Sequence, residues 1–184
     1  MNRRKTLHPT TIIKSIVEKR LKPKTARMPA PLKWGLDNEI LAIGQYQSLT
    51  SCRKVEQCGF VINPKWPWLG CSPDGLVIEE GGVVGCVEVK CPYAKKDANL
   101  KAAAESDKAF FLRYIDNKLA LKTNHIYYYQ CQGVMNILEM PWIDFIVYTT
   151  IDLHVERIFR DNLLWGKMLL ELSDFYSTYI ISEI

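Results

Sequence analysis

The chain lacks the features of a membrane or secreted protein. No apolar run approaches the roughly 20 residues that a membrane-spanning helix needs, and the basic N-terminus has no apolar segment of the kind found in a signal peptide. The six cysteines include no C-x-x-C pair, and a chain of 184 residues needs no disulfide staples. These absences predict a reducing, intracellular compartment, either the cytoplasm or the nucleus, and no membrane partner.

Repeats, low-complexity tracts and a convincing zinc site are also missing. Cys52, Cys58 and a histidine do not have the spacing of a structural zinc site. The hydrophobic content of 48% with 20 aromatic residues excludes a disordered chain. We therefore predict a basic, partly helical segment over residues 1–28 and one domain over residues 29–184.

Positive charge is concentrated at the N-terminus. Residues 1–33 hold ten Lys and Arg against one acidic residue, whereas the rest of the chain holds 14 against 19. A basic segment on an acidic domain suits a polyanionic partner, although a solvated tail has the same composition.

Residues 66–93 predict a β-hairpin with charged residues at its open end. Two apolar, β-prone runs flank a Glu-Glu-Gly-Gly turn signal. A turn centred on Gly81 gives facing residues a constant index sum near 162. The predicted pairs are Asp74 with Glu88, Leu76 with Cys86, Ile78 with Val84, and Ser72 with Lys90. Because facing carboxylates repel, we expect a cation between Asp74 and Glu88.

The flanking sequence predicts an α/β domain. A helix over residues 31–47 places Leu32, Leu36, Glu39, Ile43 and Tyr46 on one inward stripe. Glu39 is then either a boundary residue or a buried carboxylate beside a cation. We predict a strand at 59–62, a helix or mobile connection at 95–109, and a hairpin at 110–121 that turns at Asp116-Asn117. A helix at 125–139, capped by Thr123 or Asn124, follows the hairpin. Strands at 142–149 and 153–159 and a final helix capped by Asp161 complete the prediction. This order indicates a mixed sheet with helices on both faces.

The charged residues could hold a hard cation. Glu88 and Lys90 share a strand face, and Asp74 reaches that face from the partner strand. The carboxylates of Asp74, Glu88 and Glu39, with the Val89 carbonyl, form an all-oxygen site that favours Mg²⁺, with Mn²⁺ as a substitute. Lys90 would then orient a water or act as a general base. The alternative is a surface ion pair, but Pro73 and Gly75 inside a strand-like segment favour a specialised site.

The motifs resemble those of a known family. SPDG followed by EVK, at Pro73-Asp74 and Glu88-Val89-Lys90, resembles the PD-(D/E)XK nuclease motif. PLKWGLDNE, WPWLGCSPDG, GCVEVKCPY, HIYYYQCQGVM and WIDFIVYT together resemble the YqaJ-type viral recombinase domain, which is related to phage lambda exonuclease.

The resemblance implies a restriction-endonuclease-like fold and a set of roles. Glu39, Asp74 and Glu88 would bind metal, Lys90 would be catalytic, and Gln130 would support the site. Ser72 and Tyr127 are candidate substrate contacts. The implied activity is Mg²⁺-dependent, 5′-to-3′ digestion of double-stranded DNA in recombination, by a ring-shaped trimer with a possible single-strand annealing partner.

One family feature is missing, and other functions stay open. Family members usually begin with a further helix and a serine-containing segment that hold the DNA end, and no equivalent precedes Pro29. An endonuclease, a non-catalytic DNA-binding module and a structural subunit acting through the aromatic C-terminal helix are the alternative functions.

Overall fold

A five-stranded mixed sheet lies at the centre of the fold. The computed structural model describes residues 28–50 and 54–181, so the predicted basic segment lies outside the described residues except for Met28. The sheet has the order β1-β4-β5-β8-β9. Its strands are β1 Lys54–Glu56, β4 Gly75–Glu79, β5 Gly82–Lys90, β8 Trp142–Tyr148 and β9 Leu153–Phe159. Within the sheet β5 and β8 run parallel, and the other three pairs are antiparallel.

Two small antiparallel sheets accompany the central one. The first pairs β2 Val61–Ile62 with β3 Gly70–Cys71, and the second pairs β6 Leu112–Ile115 with β7 Lys118–Leu121. Asp116 and Asn117 connect β6 to β7 with φ of 52° and 59°. Aspartate and asparagine tolerate this left-handed backbone better than most residues. The predicted hairpin and its turn are confirmed.

Four helices are described. They are α1 Ala30–Leu49, α2 Leu100–Ser106, α3 Ile126–Ile137 and α4 Asn162–Phe175, with a 3₁₀ turn at Tyr93–Lys95 and a π-helical turn at Tyr176–Ile180. The predicted cap of α3 is wrong: His125 takes this position, and its ring nitrogen accepts the Tyr127 N–H at 3.2 Å. Asp161 caps α4 as predicted, accepting the Leu164 N–H at 2.9 Å. Met28–Arg160 form one compact unit, and α4 belongs to a second.

Helices cover both faces of the central strands. Ala42, Ile43 and Tyr46 of α1 pack in one cluster with β5 and β8, on the face that carries Val87 and Val89. Because side chains alternate along a strand, Glu88 points to the opposite face, where α3 reaches it. The predicted mixed α/β sheet with helices on both faces is confirmed.

The inward stripe predicted for α1 is wrong in its first half. Ile43 and Tyr46 are buried, but Leu32 and Leu36 are 56% and 51% exposed. The first turns of the helix border an open cleft instead of the sheet. The helical spacing of apolar residues in α1 therefore continues beyond the part of the helix that packs against the sheet.

The hairpin register is correct in its middle and wrong at its ends. Leu76 faces Cys86 as predicted, but a bulge after Val77 places Ile78 opposite Val83 instead of Val84. Asp74 and Ser72 precede β4 and are not ladder pairs. A side chain on Gly75 would meet Val55 at 2.4 Å, so glycine permits the close approach of β1.

The structure also describes the state of five cysteines and the apolarity of the helices. Five cysteines in the described part of the chain are free thiols, at positions 58, 71, 86, 91 and 131. Within residues 28–50 and 54–181 no helix combines the length and apolarity needed to cross a bilayer.

Candidate active site

The charged end of β5 opens into a cleft of about 320 Å³. The first turns of α1 form one wall, the segment after β5 forms another, and Phe111 and Tyr127 close a third. Glu39, Asp74 and Lys90 line this cleft together with Val89. The structure therefore brings most of the sequence-predicted site residues to one place.

Asp74 is fixed by the backbone of the neighbouring strand. Its Oδ2 accepts the Val89 N–H at 2.7 Å, so the side chain continues the contact between the two strands where the β4–β5 ladder has ended. Burial raises the pKa of Asp74, while the Val89 N–H and Lys90 oppose that rise. The bond to Val89 involves only one carboxylate oxygen of Asp74, which also lines the cleft.

Glu88 is the most deeply buried of the three carboxylates, with 1% of its surface exposed. Its Oε1 accepts hydrogen bonds from Lys90 Nζ and, at 2.6 Å, from Gln130 Nε2. Its Oε2 is buried and has no hydrogen-bond partner among the described residues. The pKa of Glu88 is raised to about 7: burial is the largest cause, the charges of Asp74 and Glu39 act in the same direction, and Lys90 opposes them.

Lys90 is held between an anion and an aromatic face. It forms an ion pair with Glu88, and its ammonium nitrogen lies 4.8 Å from the centre of the Tyr127 ring. Burial is the largest influence on the pKa of Lys90 and lowers it, but the charge and hydrogen bond of Glu88 together with the charges of Asp74 and Tyr127 outweigh burial, and the pKa is raised. Without a bound cation Lys90 is therefore an ammonium, a form that suits water orientation and charge compensation.

Glu39 approaches the other carboxylates from α1. Burial and then the charge of Asp74 raise the pKa of Glu39, and Lys90 lowers it. The mutual effects among Glu39, Asp74 and Glu88 mean that three like charges converge at the end of the sheet. Such a group is costly without a cation beside it.

The residues fit a hard divalent cation that also binds water and substrate. In the part of the chain that the structure describes, no three acidic, histidine or cysteine side chains enclose an ion by themselves. The unpartnered Glu88 Oε2, the all-oxygen donors and the Val89 carbonyl nevertheless suit Mg²⁺, which is commonly held by one or two carboxylates and keeps several waters. Glu39, Asp74, Glu88 and Val89 are the residues that would hold it.

Ser72 lies apart from the lysine side of the site. It borders a second cleft of about 340 Å³ with Gln57, Cys58 and Pro73. Glu39 and Asp74 line both clefts and so stand between them. Gln130 is exposed on its helix but reaches Glu88, and Tyr127 is placed against Lys90.

Sequence reasoning missed the aromatic support of Tyr127. Its ring centre lies 5.0 Å from that of Phe111, which in turn contacts His125 at 5.8 Å and Phe145 at 6.1 Å. Adjacent phenylalanines at positions 110 and 111, the first two residues of the predicted hairpin, were the available signal. The exposed wall of Leu32 and Leu36 was also missed, because helical periodicity alone assigned both to the core.

The sequence decides the family. Residues 1–141 match the sequence model of the YqaJ-like viral recombinase domain. The chain belongs to this family. The resemblance inferred from the separated motifs is confirmed.

Two crystal structures share the fold of this YqaJ-like domain. LHK-Exo, an alkaline exonuclease from Laribacter hongkongensis, in complex with dAMP has 25% identity and a TM-score of 0.69, covering 94% of this chain and 80% of that chain. A second structure of LHK-Exo has 26% identity and a TM-score of 0.66, covering 91% and 77%. No curated protein matches the sequence at a significant level. The fold is restriction-endonuclease-like, and family membership with these neighbours indicates a nuclease.

Proposed function

We propose that the chain is a metal-dependent nuclease that hydrolyses double-stranded DNA from its 5′ ends. The observation that carries the proposal is the buried Glu88, which has one unpartnered oxygen and a raised pKa beside Lys90, Asp74 and Glu39. A buried carboxylate with a perturbed pKa in a cleft marks a functional site. Family membership and the exonuclease neighbours support the choice of reaction.

Different residues of the chain have different roles in the proposed phosphodiester hydrolysis. Glu39, Asp74, Glu88 and the Val89 carbonyl would hold a divalent cation, which would supply Lewis-acid polarisation of the phosphoryl group and a water of lowered pKa. The Lys90 ammonium orients the attacking water and offsets the negative charge that develops on the phosphoryl oxygens.

Two further residues keep that machinery in place. Gln130 donates a hydrogen bond to Glu88 Oε1 at 2.6 Å, while Glu88 Oε2 has no partner among the described residues. The face of the Tyr127 ring lies against the Lys90 ammonium at 4.8 Å and limits where the lysine can point. Both residues lie on α3, whose position against the sheet therefore affects the geometry of the site.

Digestion from an end is proposed because both neighbours are exonucleases and one was crystallised with dAMP. A mononucleotide is the product that stepwise removal of terminal residues gives. For this chain we therefore expect 5′-mononucleotides as the main product from linear duplex DNA, with the complementary strand left as single-stranded DNA.

The test compares linear and covalently closed circular duplexes in Mg²⁺ and in Mn²⁺. We expect early release of a 5′-terminal label, late release of a 3′-terminal label and intact circles. The matched variants are Asp74→Asn in the site and Asp97→Asn on an exposed turn: the first should lose cleavage and the second should keep it. Nicked circles would show an endonuclease. Folded protein that binds DNA but cleaves none with either metal would show a non-catalytic module.

A further inference from the structure

The β6–β7 hairpin stands beside the cleft but outside the central sheet. It begins immediately after Phe111, which lines the cleft, and it ends at Leu121, six residues before Tyr127, which lines the same wall. The Lys122 N–H donates to the Phe111 carbonyl at 3.0 Å and closes the base of the hairpin. The hairpin is thus a short two-stranded ribbon anchored at the wall of the proposed active site.

The two faces of this ribbon differ in chemistry. Leu112 and Leu121 face each other and are buried. On the opposite face Arg113 lies across from Ala120, and Ile115 lies across from Lys118. Arg113 and Lys118 are both exposed and are diagonal neighbours on that face, about 7–8 Å apart. One face packs inward and the other presents two cations to solvent.

The charge of this region is not balanced locally. Its basic residues are Lys101, Lys108, Arg113, Lys118 and Lys122, and its acidic residues are Glu105, Asp107 and Asp116. Asp107 already pairs with Lys95 at 3.1 Å. Within residues 28–50 and 54–181 no carboxylate forms an ion pair with any of the five basic side chains. Lys122 Nζ instead donates to the Lys108 carbonyl at 2.6 Å, at the base of the ribbon.

We propose that the exposed face of the β6–β7 ribbon, defined by Arg113 and Lys118, binds the phosphate backbone of duplex DNA that enters the cleft. The inference rests on the proposed function and adds the surface that holds the substrate outside the reacting atoms. An arginine can hold a phosphate through two parallel hydrogen bonds, and a lysine adds a point charge. Among the described residues, no carboxylate pairs with either cation, so phosphate binding breaks no ion pair there.

The length of the ribbon sets how far along the DNA it reaches. Four residues of β6 at about 3.4 Å each extend roughly 14 Å from the cleft wall. Duplex DNA rises about 3.4 Å per base pair along each strand, so the ribbon spans about four base pairs. The contact is therefore made to backbone beyond the terminal nucleotides, and it carries no sequence information.

The test measures the salt dependence of DNA binding. The double variant Arg113→Ala/Lys118→Ala is made in a Glu88→Gln background, and its binding to a fluorescent 20-base-pair duplex is followed by anisotropy in Mg²⁺ over a series of KCl concentrations. Each lost phosphate contact lowers the slope of log K against log salt by about 0.9, which at 0.1 M salt corresponds to about an eightfold loss of affinity. We expect a slope smaller by about 1.8.

Two controls separate a phosphate contact from a general charge or folding effect. Lys54→Ala/Lys65→Ala removes the same charge at exposed sites on other elements and should leave the slope nearly unchanged. The charge-preserving swap Arg113→Lys/Lys118→Arg should keep most of the slope. Equal slopes for the ribbon variant and the Lys54/Lys65 control would overturn the inference. Cleavage of linear DNA by the unmodified protein is measured separately, so failure of the proposed nuclease activity is recognised on its own.

Discussion

Two buried carboxylates lie on adjacent strands of the central sheet and differ in how completely their oxygens are hydrogen-bonded. Glu88 is on β5 and Asp144 is on β8, where they pair with Phe145 and Val87 in the same parallel ladder. Their side chains therefore point to opposite faces of the sheet. Glu88 is 1% exposed and Asp144 is 2% exposed. Burial is equal, so the difference between them lies in their partners.

Asp144 has a complete set of strong partners. Arg157 donates from Nε to Oδ1 and from Nη2 to Oδ2, both at 2.8 Å, and the Tyr46 hydroxyl donates to Oδ2 at 2.6 Å. The guanidinium also lies 3.5 Å from the centre of the Trp142 ring. Because both oxygens are bonded, this network joins α1, β8 and β9 and has no opening for a ligand.

Glu88 has partners on one oxygen and none described on the other. Burying an incompletely paired carboxylate is unfavourable, and a cation bound to the open oxygen would relieve this cost. The comparison teaches that burial does not by itself mark a functional acid. The unpartnered oxygen of Glu88 is the feature on which we base its proposed role.

The largest expected effect comes from removing the charge of Glu88. Glu88→Gln should lower Mg²⁺-dependent cleavage by about a thousandfold or more, because metal and phosphoryl stabilisation worth several kcal/mol is lost. At pH 8 the metal-free variant should melt at the same temperature as the wild type or higher, because burial opposes the ionised form of Glu88 more strongly than its ion pair with Lys90 favours it. The measurements are initial cleavage rates and thermal melting in EDTA. A variant with more than a tenth of wild-type activity would contradict the assignment.

The neighbouring carboxylate should respond in the opposite way. Asp144→Asn should lower the free energy of unfolding by about 3 kcal/mol, because it leaves Arg157 without its counter-ion in a largely buried site. Folded protein should still cleave DNA within about threefold of the wild-type rate. Urea unfolding and cleavage rates measure the two effects. If Asp144→Asn left stability unchanged, the structural reading of this network would be wrong.

The pH dependence of stability gives a further test of how Glu88 differs from Asp144. In the metal-free protein the pKa of Glu88 is raised from 4.5 to about 7, so its contribution to stability is fully present below pH 4.5 and is lost as pH rises through 7. The loss is on the order of 3 kcal/mol. Burial also raises the pKa of Glu39 and Asp74, in the same direction.

Thermal melting in EDTA between pH 5 and pH 8 tests this sign. The wild type should lose stability relative to Glu88→Gln as pH rises, and Mg²⁺ at pH 8 should restore it by binding the ionised carboxylates. Parallel melting profiles for the two proteins would show that Glu88 does not titrate in this range.

Much of the fold could be predicted from sequence because its signals are local. The Asp116-Asn117 turn and the alternation around it are sufficient to define one hairpin. The partner of Ile78 could not be predicted, because the bulge after Val77 changes the register without a distinct sequence signal. Leu32 and Leu36 were misplaced for a similar reason: periodicity reports a helix face but not where its packing partner ends.

The candidate site was predictable in its residues but not in its hydrogen bonds. The motif placed Asp74, Glu88 and Lys90 together, but nothing in it indicates which Glu88 oxygen lacks a partner. The Asp144–Arg157 pair, by contrast, was within reach of the sequence. With a tight turn at 150–152, the same constant-sum rule that pairs Leu76 with Cys86 pairs Asp144 with Arg157. A lone acid in an apolar strand was the missed signal.

The smallest predicted effect concerns Tyr127, which the sequence assigned as a substrate contact and the structure places against Lys90. If its ring face positions the ammonium, Tyr127→Phe should keep kcat within about twofold, and Tyr127→Leu should lower it about five- to tenfold, as expected for a cation–π contact of about 1 kcal/mol. KM should change little in either variant. Steady-state kinetics at saturating Mg²⁺ make the measurement.

The control for this prediction is Tyr129→Leu on the same helix, and melting curves must show that each variant is folded. A substrate contact through the Tyr127 hydroxyl predicts the reverse pattern, in which Tyr127→Phe already raises KM while kcat is unaffected. The two roles are therefore separated by the phenylalanine variant. If kcat is retained in Tyr127→Phe and lowered in Tyr127→Leu, the aromatic ring and not the hydroxyl is the group that matters. Tyr127 would then be the residue that keeps the Lys90 ammonium, paired with Glu88, directed at the substrate.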